Sequence, residues 1–178
     1  SFPHFFLLFS SFFPWAPACA IIQEKAPKEN RMEIERKFLI KDLPKDLTSY
    51  PCSQIEQAYL NENPVLRIRR KDDDYILTYK SKGMMAREES EFPLTKEAYE
   101  HLRTKADGKI ISKTRYFIPL APHTIELDVF HGDMEPLIMA EVEFASIEEA
   151  NVFLPPDWFG QDVTMDRRYH NVNMALYQ

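Results

Sequence analysis

With 4 glycines among 178 residues, the chain has no room for a glycine-rich phosphate loop, whether of the P-loop or the dinucleotide-binding kind. Its 2 cysteines, Cys19 and Cys52, exclude a disulfide framework, and their spacing matches no thiolate metal site. The 5 histidines (His4, His101, His123, His131 and His170) follow no common ligand spacing, so an imidazole metal cluster is not expected. A net charge of −6 and a pI near 5.4 leave no global attraction to nucleic acid or an anionic membrane. A local basic surface can still hold an anion. Long apolar runs are missing too. Phe5–Phe9 and Phe12–Trp15 are interrupted by Pro14 and too short to cross a bilayer. A small-residue exit, Ala16-Pro17-Ala18, follows them, but no Lys or Arg precedes them, as a secretory signal requires.

What is present suits one soluble domain with a sizeable core: 44% hydrophobic, 28% charged, with 13 Phe and 8 Tyr for packing. Residues 1–31 differ from the rest, being greasy and then polar and Pro-bearing. Three readings of them are open: a start placed upstream of a true initiator at Met32, a degenerate targeting segment, or a membrane-surface anchor. The first is favoured, because the organised pattern begins at Met32, and the domain is drawn over 32–178.

From Met32 the segments are short, rich in β-branched and aromatic residues, and separated by turn signals. Strands are expected at Glu33–Ile40, Gln54–Asn61, Val65–Lys71, Tyr75–Ser81, Ala86–Leu94, Ile110–Ile118, Thr124–His131 and Leu137–Phe144. Asp72-Asp73-Asp74 supplies a hairpin turn. Thr95 opens a helix carried by Ala98, Tyr99, Leu102 and Ala106 and stopped by Gly108. Ser146 with Glu149 forms a capping box, and Met165–Tyr177 reads as a C-terminal helix. Many strands with few helices at hairpin spacing argue for a mostly antiparallel sheet.

A two-residue charge rhythm runs through those strands. Glu33, Glu35 and Lys37 share it with Arg67 and Arg69, Lys80 and Lys82, and Arg87, Glu89 and Glu91. Lys113 and Arg115, Glu126 and Asp128, and Glu141 and Glu143 repeat it. Residues two apart on a strand face one way. For any one pair a solvated face is the commoner explanation. For the whole set, surface ion pairs worth about 0–1 kcal/mol each give little reason for so much charge. A sheet closed on itself has no edges and can enclose a polar lumen, and that is the architecture expected here. Carboxylates two apart repel, which a divalent cation between them would relieve. Such oxygen ligands suit Mg²⁺ or Mn²⁺. Arg at these positions suits a bidentate grip on phosphate.

The run Glu33-Ile34-Glu35-Arg36-Lys37 resembles the ExExK signature of the CYTH superfamily, the triphosphate tunnel metalloenzymes. The resemblance extends through Leu66–Arg69, Lys113–Tyr116, Glu126–Phe130, Glu141–Phe144 and 155–171, including Trp158-Phe159-Gly160 and Asp166–Tyr169. It is greatest to the short bacterial branch that hydrolyses inorganic tripolyphosphate. It implies an eight-stranded antiparallel barrel with helices packed outside, a mainly β (α+β) fold. It further implies metal binding by Glu33, Glu35, Asp128, Glu141 and Glu143, with Mg²⁺ or Mn²⁺ as cofactor. Phosphates would be held by Lys37, Arg67, Arg69, Lys80, Arg87, Lys113, Arg115 and Arg168. Tyr59 with Lys80 resembles a tyrosine–lysine catalytic dyad.

The implied protein is a cytoplasmic hydrolase with a small triphosphate as partner. Neither nucleic acid nor membrane is expected, unless the first 31 residues anchor it, and a homodimer is left open. Thiamine triphosphatase, adenylate cyclase and RNA 5′-triphosphatase activities stay open as rivals. The cyclase reading is weakened because no His-Phe pair stands beside Met32. A binding module without turnover is the rival of another class, and intact acids beside the bases argue against it. Trp158-Phe159 is expected to cover a barrel end or pack under a helix.

Overall fold

The structure, a computed structural model, describes residues 28–177. The expectations placed on residues 1–27 therefore lie outside the described residues. β1 (Lys28–Ile40) begins four residues ahead of Met32, with Lys28 aligned to Glu91. Seven further strands follow: β2 (Cys52–Asn61), β3 (Val65–Lys71), β4 (Asp74–Lys80), β5 (Ala86–Pro93), β6 (Asp107–Leu120), β7 (His123–Phe130) and β8 (Ile138–Glu143). All pairs are antiparallel, in the order β5-β4-β3-β2-β6-β7-β8-β1, and β1 pairs back to β5. The expected eight-stranded closed barrel is thus what forms. Closure leaves the early part of β1 on β5 and Glu35–Leu39 on β8.

A ninth short strand, β9 (Phe159–Asp162), was not expected from sequence. It pairs with the end of β1, Phe38 opposite Asp162. At Trp158-Phe159, the Phe159 ring packs 4.9 Å from Phe38 on the outer wall. Gly160 suits this close pairing, because a Cβ there would stand 3.1 Å from the Leu39 carbonyl oxygen.

Helices α1 (Lys96–Arg103) and α2 (Ile147–Val152) start where their caps predict. The Thr95 hydroxyl accepts from Ala98 N at 3.2 Å, and the Ser146 hydroxyl from Glu149 N at 3.1 Å. The long C-terminal helix is corrected to a 3-10 turn at Arg167–Tyr169 and a short α3 (Asn171–Tyr177). Asp166 caps the turn through Arg168 N, and just ahead of it Val163 N ties the chain to Lys37 O on β1. Gly108 does not end a helix. It lies inside β6 with φ +68°, where a side chain would meet the Ala175 carbonyl of α3 at 2.3 Å.

Much of the hydrocarbon packs outside the barrel wall. Ile34, Phe38, Leu127, Val142, Phe144 and Phe159 form one cluster around Ala150 of α2, and Ala58 and Ile68 pack with Tyr99 of α1. A third cluster lies at one barrel end, where Tyr59, Ile111, Phe130 and Met139 meet Met174 and Ala175 of α3. Met174 and Ala175 supply the hydrocarbon by which α3 packs there.

Arg36, the one outward charge in the run 33–37, ties the outer layer together. It donates to Asp162 at 2.6 Å and to the carbonyls of Ala150 and Phe153 at 2.9 and 3.2 Å. Its guanidinium also lies 4.9 Å from the Phe38 ring centroid. Arg36→Ala is expected to cost about 2–4 kcal/mol, since it strips charged hydrogen bonds from a carboxylate and two carbonyls. Urea unfolding would measure this, and a loss below about 1 kcal/mol would remove the clasp role.

Candidate active site

The inward positions of the strands converge on a cavity of about 210 Å³. Strand alternation delivers them: Glu33, Glu35 and Lys37 from β1, Arg67, Arg69 and Lys71 from β3, and Lys80 from β4. Arg87, Glu89 and Glu91 come from β5, Lys113 and Arg115 from β6, Glu126 from β7, and Glu141 and Glu143 from β8. Most are buried, including Glu33, Glu35, Lys37, Arg67, Lys80, Glu89, Glu91, Lys113, Arg115 and Glu141. The charge rhythm therefore points inward, and the solvated-face reading fails.

Register sets opposite charges face to face: Glu33 opposite Arg87, Lys37 opposite Glu141, Lys80 opposite Glu89, Arg115 opposite Asp128. Glu33 accepts from Lys80 at 2.8 Å and from Arg87 Nε at 2.8 Å. Glu35 takes Arg87 at 3.1 Å and Lys37 at 3.0 Å, and Lys37 also bonds Glu141. Arg115 is the hub of the far wall. It grips Asp128 through two nitrogens at 2.6 Å, Glu141 at 2.5 Å, and also Glu126. Two register pairs are like-charged, Glu35 with Glu143 and Glu126 with Glu141. Like charges directly opposite destabilise a sheet unless something cationic joins them.

Burial and neighbours move several protonation equilibria. Burial pulls Lys37 down, but the charges of Glu141 and Glu35 outweigh it and hold the amine above its ordinary range. Burial, with Arg115 beside it, takes Lys113 down to about 8 against the pull of Asp128. Arg69 falls to about 10 through burial and the charge of Arg67. Glu141, also penalised by burial, is held well below the carboxylate range by Lys37 and Arg115. Burial pushes the Tyr59 phenol up to about 12, so it stays protonated.

Arg67 Nε and Arg69 Nε are buried without a hydrogen-bond partner among the described residues. Buried donors left unmet favour an incoming acceptor. The acids supply hard oxygen donors, yet no three acid, His or Cys side chains among the described residues form a ready metal cage. That fits a Mg²⁺-like ion, which takes one or two carboxylates and completes its shell with phosphate oxygens and water.

Not every expected residue arrives. Asp128 is fully buried behind the cavity surface, bonded to Lys113 and Arg115, so it supports the wall rather than lining it. Lys82 lies beyond the end of β4 at Lys80 and is exposed, because the chain turns and the alternation stops. Arg168 sits outside the cavity on the 3-10 turn, exposed and 2.6 Å from Asp166. Arg168→Ala is expected to leave kcat/KM within about twofold and stability within about 0.5 kcal/mol. A tenfold kinetic loss would return Arg168 to the site.

Tyr59 and Lys80 share the cavity, but the hydrogen bonds of each lead elsewhere. The Tyr59 hydroxyl accepts from Gln57 Nε2 at 2.9 Å, whereas Lys80 holds Glu33 and Glu89. Gln57 was missed, although its position two before Tyr59 places it on the same face. His170, just before α3, and Asn171 and Val172, in its first turn, also line the cavity.

A closed antiparallel barrel with acids and bases, rather than hydrocarbon, along much of its interior defines a class of barrels that hold a small polyanion. The chain belongs to the CYTH domain family, whose model matches residues 31–155. It is 40% identical to an inorganic triphosphatase of Nitrosomonas europaea over 81% of this chain and 97% of that protein. An inorganic triphosphatase of Acetivibrio thermocellus is 36% identical over 80% of this chain and 92% of its own length. A crystal structure of an inorganic triphosphatase superposes with a TM-score of 0.63 at 37% identity, covering 82% of this chain and 95% of that one.

Proposed function

We propose that this protein is a divalent-metal-dependent triphosphatase that converts inorganic tripolyphosphate to pyrophosphate and phosphate, with weaker action on nucleoside triphosphates. The observation that carries this is the enclosed cavity where Arg67 and Arg69 present unmet Nε donors beside Glu33, Glu35, Glu141 and Glu143. The names of the relatives above support the choice of substrate. Size agrees as well. A cavity of about 210 Å³ suits a small linear polyanion better than a bulky ligand.

Phosphoryl transfer asks a protein mainly for positioning and charge stabilisation. Lys37, Arg67, Arg69, Lys80, Arg87, Lys113 and Arg115 hold the phosphate oxygens in this reading, each steadied by a neighbouring acid or by the wall. Glu33, Glu35, Glu141 and Glu143 would hold Mg²⁺ or Mn²⁺, which when bound neutralises phosphate oxygen charge as a Lewis acid. Tyr59 acts as a hydrogen-bond donor and not as a base, since its oxygen already accepts from Gln57 and its proton is firmly held. A cytoplasmic location belongs to the same reading.

Orthophosphate release from tripolyphosphate, ATP and thiamine triphosphate, each with Mg²⁺, Mn²⁺ or EDTA, tests it. Metal-dependent turnover, fastest on tripolyphosphate, is expected. Cyclic AMP from ATP without orthophosphate would replace the hydrolase reading with a cyclase. Silence on every substrate would leave only a binding module.

A further inference from the structure

One group lining the cavity has no part in that chemistry. His170 is buried and stands just ahead of α3, which packs at one barrel end. Its Nε2 lies 3.1 Å from the Thr164 carbonyl oxygen, which can only accept, so Nε2 carries the proton and Nδ1 the lone pair. No donor reaches Nδ1 among the described residues.

The ring is anchored from outside the barrel. Thr164 donates to Asp162 Oδ1 through its N–H at 2.8 Å and its hydroxyl at 2.5 Å. The same hydroxyl accepts from Lys37 N at 3.0 Å, and Asp162 is gripped by Arg36. One residue therefore fixes both the backbone of Lys37 and the imidazole. Burial keeps the imidazole below its ordinary pKa, which preserves the lone pair at neutral pH.

Two uncommitted acceptors stand together on this side of the cavity, His170 Nδ1 and the neighbouring Asn171 Oδ1, which is buried without a partner among the described residues, whereas the carboxylates are engaged. Glu33, Glu35 and Glu141 each hold two cations. In-line hydrolysis places water on the far side of phosphorus from the leaving group. In this reading pyrophosphate leaves on the side where Glu143 is exposed and Glu126 partly so, away from α3. The water then stands between the terminal phosphorus and the His170 side of the cavity.

Resting on the triphosphatase reading, we propose that His170 orients the attacking water, its Nδ1 accepting a hydrogen bond that turns the water oxygen toward the terminal phosphorus. A water O–P bond forms and the bridging P–O bond breaks, its electron pair leaving on pyrophosphate. One water proton stays on the product phosphate and the other ends on pyrophosphate.

Two amide variants separate this role from a structural one. His170→Gln reaches the Nε2 position and can keep the bond to Thr164 while losing the acceptor at Nδ1. His170→Asn keeps a polar atom near Nδ1 and gives up the anchor. Expected for His170→Gln is a fall in kcat of about 10²-fold with KM within about twofold. His170→Asn should retain at least tenfold more kcat than His170→Gln. Calorimetric binding of tripolyphosphate without metal should match wild type in both.

Near-wild-type kcat in His170→Gln, or rescue by Gln but not Asn, overturns the inference in favour of an anchoring role. Lost tripolyphosphate binding in His170→Gln does so as well. If His170→Gln does not fold by circular dichroism, His170→Asn decides: kcat within about tenfold of wild type supports the role, and a larger loss defeats it. A wild-type protein inactive on tripolyphosphate sinks the functional reading itself. Active wild type with indifferent variants sinks only the role of His170.

Discussion

Glu35→Gln is expected to lower kcat on tripolyphosphate by about 10³-fold or more while leaving the protein folded. Glu35 faces Glu143 across the β1–β8 ladder, and both line the cavity. The amide keeps the volume and removes the charge that the proposed cation site needs. The fold should survive because neither cation on Glu35 depends on it alone: Arg87 keeps Glu33 at 2.8 Å, and Lys37 keeps Glu141. Thermal unfolding within a few degrees of wild type, with a right-shifted Mg²⁺ or Mn²⁺ titration, completes the expected result. A variant that keeps more than a tenth of wild-type turnover would remove Glu35 from the metal set.

Arg115→Ala should damage stability more than any other single change in the cavity. Its guanidinium serves Asp128, Glu126 and Glu141 together, and Asp128 is entirely buried. Removing one member of a buried ionic network costs about 3–5 kcal/mol, because the remaining charges keep their desolvation and lose their partner. For a chain of this size that is a fall in Tm of about 10 °C. Lysine should rescue only in part, since an ammonium cannot match a planar fork across two carboxylates. The acid limit should move as well. Glu141 is held below the carboxylate range, so its contribution is present above that range and fades as pH falls through its folded value. With Arg115 gone that value rises, and acid unfolding should begin at higher pH. A midpoint unmoved in both heat and acid would show that the network carries no stability.

The strands were readable from sequence because their signals are local. Alternation over Glu33–Lys37 and Glu126–Phe130, with turns such as Asp72-Asp73, needs only neighbouring residues. The caps at Thr95 and Ser146 were equally plain. β9 was not. Phe159–Asp162 has little alternation of its own and becomes a strand because the free edge of β1 lies beside it. Arg168, placed in the site by the resemblance and not by alternation, lies on a turn outside the cavity, where charge has no strand face to share.

Sequence alone determined which residues share a face, since side-chain alternation is a property of the extended backbone itself. That is enough to group the acids and bases of the site. Only the tertiary structure decided that this face looks inward, because the closure of β1 onto β5 joins residues far apart in the chain. It also decided that His170, just ahead of α3, lines the cavity. That depends on how α3 packs against Tyr59, Ile111 and Met139, and a contact between distant segments leaves no period in either of them.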